Sequence, residues 1–292
     1  MKNFIASLLP SPIRRRFMPE WQAPAVVGVV RLNGVIGAVS PLRGGMDLAS
    51  VAGALEAAFK LKGVKAVALA INSPGGSPVQ SSLIYKRIRA LAAEENIPVY
   101  AFAEDVAASG GYMLACAADE IYADESSIIG SIGVVSAGFG FAGLIEKLGV
   151  ERRVHTSGES KAQLDPFRPE NPQDVERLKA LQSEVHESFK NLVRMARGDR
   201  LGEDDDIFTG AFWAASGALS RGLIDGLGDL RGTMRARFGD KVKLKVVGDK
   251  KPFWRRGMGM TSRARADHLG EGFAQGLVSV VENRSLWSRF GL

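Results

Sequence analysis

This chain of 292 residues has few of the side chains on which many functional sites are built: it contains one cysteine, Cys116, and three histidines. A single cysteine can form no disulfide bond within the chain, so nothing in the sequence requires an oxidising compartment. No apolar run approaches the ~20 residues that a membrane-spanning helix needs. The first ten residues are too short for a secretory signal, and the basic run at 14–16 follows them instead of preceding them. These absences predict a cytoplasmic location without a transmembrane segment.

Charge is concentrated at the two ends of the chain. Residues 1–20 hold four basic and one acidic side chain, and residues 249–292 hold eight and four, whereas the whole chain carries +6. We therefore predict an N-terminal extension (1–22), a central domain (23–248) and a C-terminal extension (249–292). The nearly neutral centre shows no recognised nucleic-acid-binding motif, which argues against a nucleic-acid partner.

Both extensions also carry apolar side chains that could anchor them, among them Phe4, Leu8, Trp21, Phe253, Trp254, Trp287 and Phe290. Basic clusters beside aromatic and aliphatic anchors are typical of segments that lie on an anionic membrane surface. We put forward peripheral attachment to the inner face of the cell membrane. The alternative is that the extensions pack on the central domain.

Apolar runs and helical patterns alternate along the central domain, which predicts an α/β fold with parallel strands. We predict strands at 25–32, 64–71, 99–103, 120–123, 128–135 and 151–156, and helices at 47–61, 79–93, 110–118, 143–148 and 173–197. The last helix places Leu178, Leu181, Val185, Phe189 and Leu192 on one face. The partner of that face is either the domain itself or another subunit.

Ser109 follows one predicted strand and precedes a short predicted helix. A serine at such a position lies beside backbone N–H groups that have no partner within the helix, and these donors favour the negative charge of an attacked carbonyl oxygen. The simpler interpretation is that Ser109 only caps the helix, because serine is a preferred N-cap residue.

A second glycine turn, Ser-Pro-Gly-Gly-Ser at 73–77, ends the buried strand 64–71. In a parallel sheet, turns at the carboxyl ends of neighbouring strands line one crevice. If the two strands are neighbours, the N–H groups of Gly76 and Gly110 could converge on one oxygen as an oxyanion hole.

A serine nucleophile needs a base. Lys161 can serve if burial disfavours its charged form, and Ser–Lys pairs are an established variant of the catalytic triad. His155 is the competing base, whereas His186 and His268 are interpreted as a solvated helix position and a tail residue. Residues 138–143 match the dinucleotide-binding pattern G-x-G-x-x-G, but this copy lies in mid-chain before a helix of about two turns, which argues against nucleotide binding.

Four motifs occur in one order: Ser-Pro-Gly-Gly-Ser at 73–77, Ala-Ser-Gly-Gly-Tyr at 108–112, Ile-Gly-Ser-Ile-Gly-Val at 129–134 and Ser-Gly-Glu-Ser-Lys at 157–161. In these motifs and their spacing the chain resembles single-domain bacterial members of the signal peptide peptidase A family of serine peptidases (family S49), over roughly residues 26–232. It departs from the family at Ser160, where relatives often carry an aromatic residue, and at 162–167. Both departures concern the shape of the substrate groove.

The resemblance implies the ClpP/crotonase fold of stacked ββα units with additional helices. It assigns Ser109 as nucleophile, Lys161 as general base, Ser131 as the residue that orients the lysine, and the N–H groups of Gly76 and Gly110 as the oxyanion hole. The substrate groove would comprise Gly75, Gly111, Ile132, Gly133 and Val134. Because relatives form ring-like or dome-shaped assemblies, we expect a homo-oligomer, and we expect no metal and no cofactor.

The predicted activity is hydrolysis of peptide bonds in extended, apolar peptides such as cleaved signal peptides or membrane-derived fragments. If the edge of the strand 128–135 is open, such a peptide could pair with it as an added strand. Two alternatives stay open: a crotonase-like acyl-CoA enzyme, which would generally use carboxylates, and a non-catalytic scaffold at the membrane.

Overall fold

The computed structural model describes residues 23–37, 45–158, 160–248 and 284–292. Within these ranges the strands are β1 (Val26–Asn33), β2 (Val64–Ser73), β3 (Val99–Ala108), β4 (Glu120–Ala123), β5 (Ile128–Gly130), β6 (Phe212–Ala214), β7 (Gly226–Leu227) and β8 (Lys243–Val247). The helices are α1 (Leu48–Phe59), α2 (Pro78–Glu95), α3 (Gly110–Ala115), α4 (Ala142–Lys147), α5 (Pro172–Arg197), α6 (Ala215–Ser220) and α7 (Leu230–Phe238). A 3₁₀ turn follows α5 at Gly198–Arg200, and residues 284–288 are helical.

The strands form one sheet in the order β6-β5-β3-β2-β1-β8, with β4 paired to β3 and β7 paired to β4. Every strand pair is parallel except β5 with β6. One side of β3 pairs with β2, and the other side pairs first with β4 and then, over residues 106–108, with β5. The carboxyl ends of β2 and β3 therefore lie side by side, and the predicted α/β fold with a parallel sheet is confirmed.

Alternate side chains of the strands contribute to different layers. Val67, Leu69 and Ile71 of β2 belong to the main core, together with buried residues of α1, α2 and α3. Ala66 and Ala68 belong to a second cluster that includes Met234 of α7. Burial on both faces accounts for the nearly continuous apolar run of β2.

Two predicted strands end differently in the structure. β3 continues through residues 104–108, which were expected to form a turn, so the turn begins only at Ser109. The strand predicted at 128–135 ends at Gly130, because Gly130 and Ser131 have positive φ angles, 117° and 54°, that an extended strand does not allow.

The strand predicted at 151–156 is wrong, since these residues have no regular structure and are almost all exposed. They belong to residues 134–170, called the arm below, which has few contacts with the rest of the chain. Phe139 and Leu148 of the arm are 79% and 68% exposed. Among the described residues, one hydrogen bond joins the arm to the remainder, from Arg177 to the hydroxyl of Ser160 at 3.1 Å.

The predicted apolar face of α5 packs only in its second half. Phe189 and Val193 are buried and Leu192 packs on the main core, whereas Leu181 is 58% exposed. The remaining predicted helices are confirmed, with ends shifted by a few residues.

Two of the aromatic residues named as possible membrane anchors pack on the central domain in the structure. Phe290 is only 8% exposed and Trp287 is half-buried, because both pack on an apolar face of the sheet. The other anchors of the two extensions, and His268, lie outside the described residues. No helix in the described ranges is long and apolar enough to cross a membrane.

Candidate active site

Ser109 has an unusual backbone, with φ 52° and ψ −121°. Such strained conformations persist only where the surroundings hold them, and they are frequent at functional sites. The N–H of Ser109 donates to the carbonyl of Gly130 at 2.8 Å, and its carbonyl accepts from the N–H of Met113 at 3.0 Å. Its hydroxyl makes no capping bond with α3. The interpretation of Ser109 as a simple N-cap is therefore wrong, and the hydroxyl is available for a ligand.

The two glycine turns meet at Ser109. Gly75 has φ 102°, and a Cβ atom there would lie 2.7 Å from the Cβ of Ser109 and 2.9 Å from the nitrogen of Gly110. No side chain fits such a contact, so only glycine allows this approach of the two turns. The structure thus brings the end of β2 against the start of α3.

The N–H groups of Gly76 and Gly110 are placed to act as donors. The carbonyl of Gly75 and the N–H of Ser77 both bond to Ile36, so the N–H of Gly76 between them points away from Ile36. Gly110 is the first residue of α3, where the N–H has no partner within the helix. In the described part of the chain, neither N–H donates to a backbone carbonyl.

Ser131 lies beside Ser109. The two serines follow Ala108 and Gly130, which are register partners on β3 and β5. Ser131 is 6% exposed, has φ 54°, and donates its N–H to the carbonyl of Ala211 at 2.7 Å. Both serines therefore stand at the point where neighbouring strands turn.

The residues predicted to line the groove fall into two groups. The side chain of Ile132 is fully buried in the main core and Gly111 packs against the carbonyl of Ser73, so neither offers a side chain to the groove. Gly133 and Val134 are half-buried. β5 itself pairs with β3 and β6 on its two sides, so the open edge on which strand addition by a peptide depended is absent over residues 128–130.

His186 was missed as a contact of this region. The prediction of a solvated helix position is wrong, because its Nε2 lies 3.1 Å from the carbonyl oxygen of Ile132 and the residue is half-buried. Helical spacing could have shown this, since positions 186, 189, 193 and 197 share one face of α5. The contact fixes α5 against the chain that follows Ser131.

The two candidate bases both lie in the arm. Lys161 and His155 are exposed, and no hydrogen bond in the described ranges joins either of them to Ser109. The pairing of Ser109 with Lys161 therefore stays a prediction. The glycine pattern at 138–143 is also exposed in the arm, and it does not directly follow a strand as a dinucleotide-binding turn does.

A buried polar cluster lies next to α3. Arg197 is buried and donates to both carboxylate oxygens of Asp225, at 2.8 and 2.9 Å, and to the carbonyl of Gly222 at 2.7 Å. The hydroxyl of Tyr112, three residues after Ser109, donates to the carbonyl of Leu223 at 2.7 Å. The cluster thus ties α3 and the end of α5 to residues 222–225.

Burial and charge set the protonation states of this cluster. Burial alone would raise the pKa of Asp225, but the hydrogen bonds from Arg197 and from the N–H of Ile121 outweigh it, and the pKa is lowered. Burial raises the pKa of Tyr112 well above its usual value and that of Cys116 to about 12. Cys116 is therefore a neutral thiol at neutral pH, without nucleophilic character.

An open groove of about 660 Å³ between α2 and α5 is lined by Tyr85, Lys86, Glu187 and Met195 among others, and includes no residue of the predicted site. No group of three or more histidine, cysteine or carboxylate side chains in the described ranges is placed to hold a metal ion.

Fold and site together define a parallel α/β protein with a strained serine between two glycine turns. The sequence model of Peptidase family S49 matches residues 92–244, and the chain belongs to this family. A putative protease of Synechocystis sp. is 34% identical over 213 residues, covering 70% of this chain and 76% of that protein. The chloroplastic serine protease SPPA of Arabidopsis thaliana is 36% identical over 170 residues, covering 58% and 25%.

One relative carries a different name. A Brucella abortus protein called Na(+)/H(+) antiporter NhaA is 52% identical over 299 residues, covering 99% of this chain but 39% of that protein. The name thus describes a polypeptide more than twice as long as the matched part. Because the matched part includes the peptidase family region, the antiporter name gives no function to this chain.

Proposed function

We propose that this chain is a serine peptidase in which Ser109 is the nucleophile. The observation that carries the proposal is the strained backbone of Ser109, whose hydroxyl makes no capping bond with the helix and against which the Gly75 turn packs. The N–H groups of Gly76 and Gly110, next along the two turns, donate to no backbone carbonyl in the described chain. Paired N–H donors of this kind stabilise the oxyanion of a tetrahedral intermediate. Membership of family S49 and the serine protease name of the Arabidopsis relative support the same reaction.

In the proposed mechanism, neutral Lys161 takes the proton of the Ser109 hydroxyl as its oxygen attacks the peptide carbonyl carbon. The oxyanion is held by the N–H groups of Gly76 and Gly110, and Ser131 orients the lysine. Collapse of the intermediate breaks the C–N bond, and the proton passes from Lys161 to the leaving amine. Water, deprotonated by the same lysine, then hydrolyses the acyl-enzyme.

The proposed mechanism requires the arm to move so that Lys161 reaches a Ser109 hydroxyl. Lys161 is exposed in the described chain, whereas a general base must lie within hydrogen-bond reach of the hydroxyl that it deprotonates. The arm also exposes large apolar side chains, Val135, Phe139, Leu144, Leu148 and Val150. We propose that a second copy of the chain covers them in a homo-oligomer, since exposed apolar patches mark interaction surfaces.

The test is covalent labelling of the intact protein by an active-site serine probe, together with hydrolysis of an extended apolar peptide. Ser109→Ala should abolish both. Lys161→Ala should lower both by ~100-fold or more, as expected for loss of a general base, whereas Lys147→Ala, which changes another exposed arm lysine, should not. Labelling that survives Ser109→Ala would overturn the proposal, and loss of activity in His155→Ala with full activity in Lys161→Ala would move the base to His155.

Mixing two inactive variants tests the assembly. If one copy supplies Lys161 to another, Ser109→Ala and Lys161→Ala chains should regain activity when mixed at high concentration. Sedimentation of the unaltered protein as a monomer at all concentrations would contradict the homo-oligomer.

Peripheral attachment to an anionic membrane is also our proposal, for residues 1–22 and 249–283. Co-sedimentation with vesicles containing phosphatidylglycerol should fall when the basic residues of these segments are replaced by glutamine. Equal, negligible sedimentation of both proteins would end the idea.

A further inference from the structure

Residues 284–292 cover an apolar part of the sheet next to the candidate site, where β3 ends at Ala108. The ring of Phe290 packs in one cluster with Val106 and Ala108, the last buried residues of β3 on that face. It also meets the ring of Phe212 edge-on, with centroids 5.0 Å apart and an interplanar angle of 69°. This edge-to-face geometry is favourable for aromatic pairs.

The covered residues form the last row of the sheet before the site. Ala108, Gly130 and Phe212 are register partners across β3, β5 and β6. These three residues are called the final row. The next residues along β3 and β5 are Ser109 and Ser131, both with positive φ. The ring of Phe290 thus packs on two members of the final row, Ala108 and Phe212.

The strained serines are held from two sides. Gly75 packs against Ser109 from the side of the glycine turns. On the sheet face opposite the main core, the apolar cluster that contains Ala108 consists of residues from β3 and β5 together with Trp287 and Phe290, within the described chain. Strained backbone conformations persist only where surrounding contacts over-determine them. Loss of the aromatic contacts would therefore let the final row relax.

We propose that Phe290, assisted by Trp287, is a positioning residue for Ser109 and Ser131. It acts through the final row, by holding the ends of β3, β5 and β6 together where the two serines turn out of the sheet. This proposal rests on the proposed role of Ser109 as nucleophile. Because the contact comes from a segment distant in sequence, undocking of residues 284–292 would disable the serine while the sheet stays folded.

The first test compares two aromatic residues in the full-length chain. Phe290→Ala should lower the rate of probe labelling at Ser109 by ~10-fold or more, because displacement of a reacting group by about 1 Å can cost ~100-fold. The matched control is Phe238→Ala. Phe238 makes a similar edge contact with Tyr100, at 6.3 Å, but beside the first half of β3. The control should lower the thermal midpoint with less than a ~2-fold change in labelling.

Phe290→Leu tests whether the apolar contact is what matters. It should retain folding and most of the labelling rate, because leucine keeps much of the buried volume. If Phe290→Ala does not fold, Trp287→Ala, which removes the assisting ring of the same cluster, supplies the measurement: it should slow labelling, and unchanged labelling would overturn the proposal. Unchanged labelling in folded Phe290→Ala, or equal slowing in Phe290→Ala and Phe238→Ala, would overturn the proposal.

Amide hydrogen exchange provides a readout that does not depend on catalysis. The N–H groups of Ser109 and Ser131 donate to the carbonyls of Gly130 and Ala211. In Phe290→Ala these two amides should exchange ~10-fold faster or more, while amides between β1 and β2 keep their protection. If the unaltered protein does not label at all, the peptidase proposal fails and the exchange result still decides the role of Phe290. Unchanged exchange at both serines would refute that role.

Discussion

The sheet and the arm each carry half of the predicted site, and they differ in burial and in hydrogen bonding. Ser109, Ser131 and the two glycine turns are held by backbone hydrogen bonds and by a buried core. Lys161 lies in the arm, which is exposed and has one described hydrogen bond to the rest of the chain. The residues proposed for the nucleophile and the oxyanion hole therefore lie in a packed part of the chain, whereas the proposed base lies in an exposed one.

The largest expected difference between the two regions concerns arginine ion pairs. Arg197 lies in the described residues outside the arm, here called the body, and its side chain is 1% exposed. Arg153 lies in the arm, is paired with Glu151, and has a side chain that is 74% exposed. Arg197→Ala should lower the free energy of unfolding by about 3–5 kcal/mol, because it leaves Asp225 buried without its main partner. Arg153→Ala should leave it almost unchanged, as for most exposed pairs.

Urea denaturation followed by circular dichroism measures both variants. A similar small change for the two arginines would show that the body tolerates the loss of its buried cation. It would also remove the contrast in packing between body and arm.

A smaller difference is expected for glycines with positive φ. Gly75 has φ 102° and Gly149 in the arm has φ 65°, but only at Gly75 would a Cβ atom meet neighbouring atoms. Gly75→Ala should cost about 2–3 kcal/mol from backbone strain and overpacking together, and it should lower labelling of Ser109 by ~10-fold or more. Gly149→Ala should cost about 1 kcal/mol of local strain in the arm and leave labelling intact.

The same contrast sets what the sequence could predict. The buried strands and glycine turns follow from local rules, because an apolar run ended by Pro-Gly-Gly has few other conformations. The strand predicted at 151–156 in the arm is wrong, because alternation of apolar and polar residues forms a strand only where a neighbouring strand accepts its hydrogen bonds. Contacts made by Arg197, His186 and Phe290 depend on partners distant in sequence, and composition left open whether Phe290 meets a membrane or the central domain.

The smallest expected difference between the two regions concerns how their stability depends on pH in acid. The pKa of Asp225 is lowered because hydrogen bonds from Arg197 and Ile121 outweigh its burial, and that of Asp165 in the arm is lowered first by the N–H of Phe167 and further by Arg152. A lowered folded-state pKa adds stability above the unfolded value of about 3.9, and that stability is lost as the pH falls below it. Each carboxylate should therefore stabilise the structure of its own region at neutral pH and lose this effect below about pH 4.

Only Asp225 should affect the body. Its carboxylate joins α5 to residues 222–225, so its protonation is linked to unfolding of the sheet, whereas Asp165 pairs with Arg152 and Arg168 inside the arm. Between pH 5 and 2 the free energy of unfolding of the sheet should fall, and Asp225→Asn should make this fall less steep. Asp165→Asn should leave the curve unchanged, because its slope counts only the protons that are taken up when the sheet unfolds. A flattening by Asp165→Asn equal to that by Asp225→Asn would mean that the arm unfolds together with the sheet, and the two regions would then form one cooperative unit.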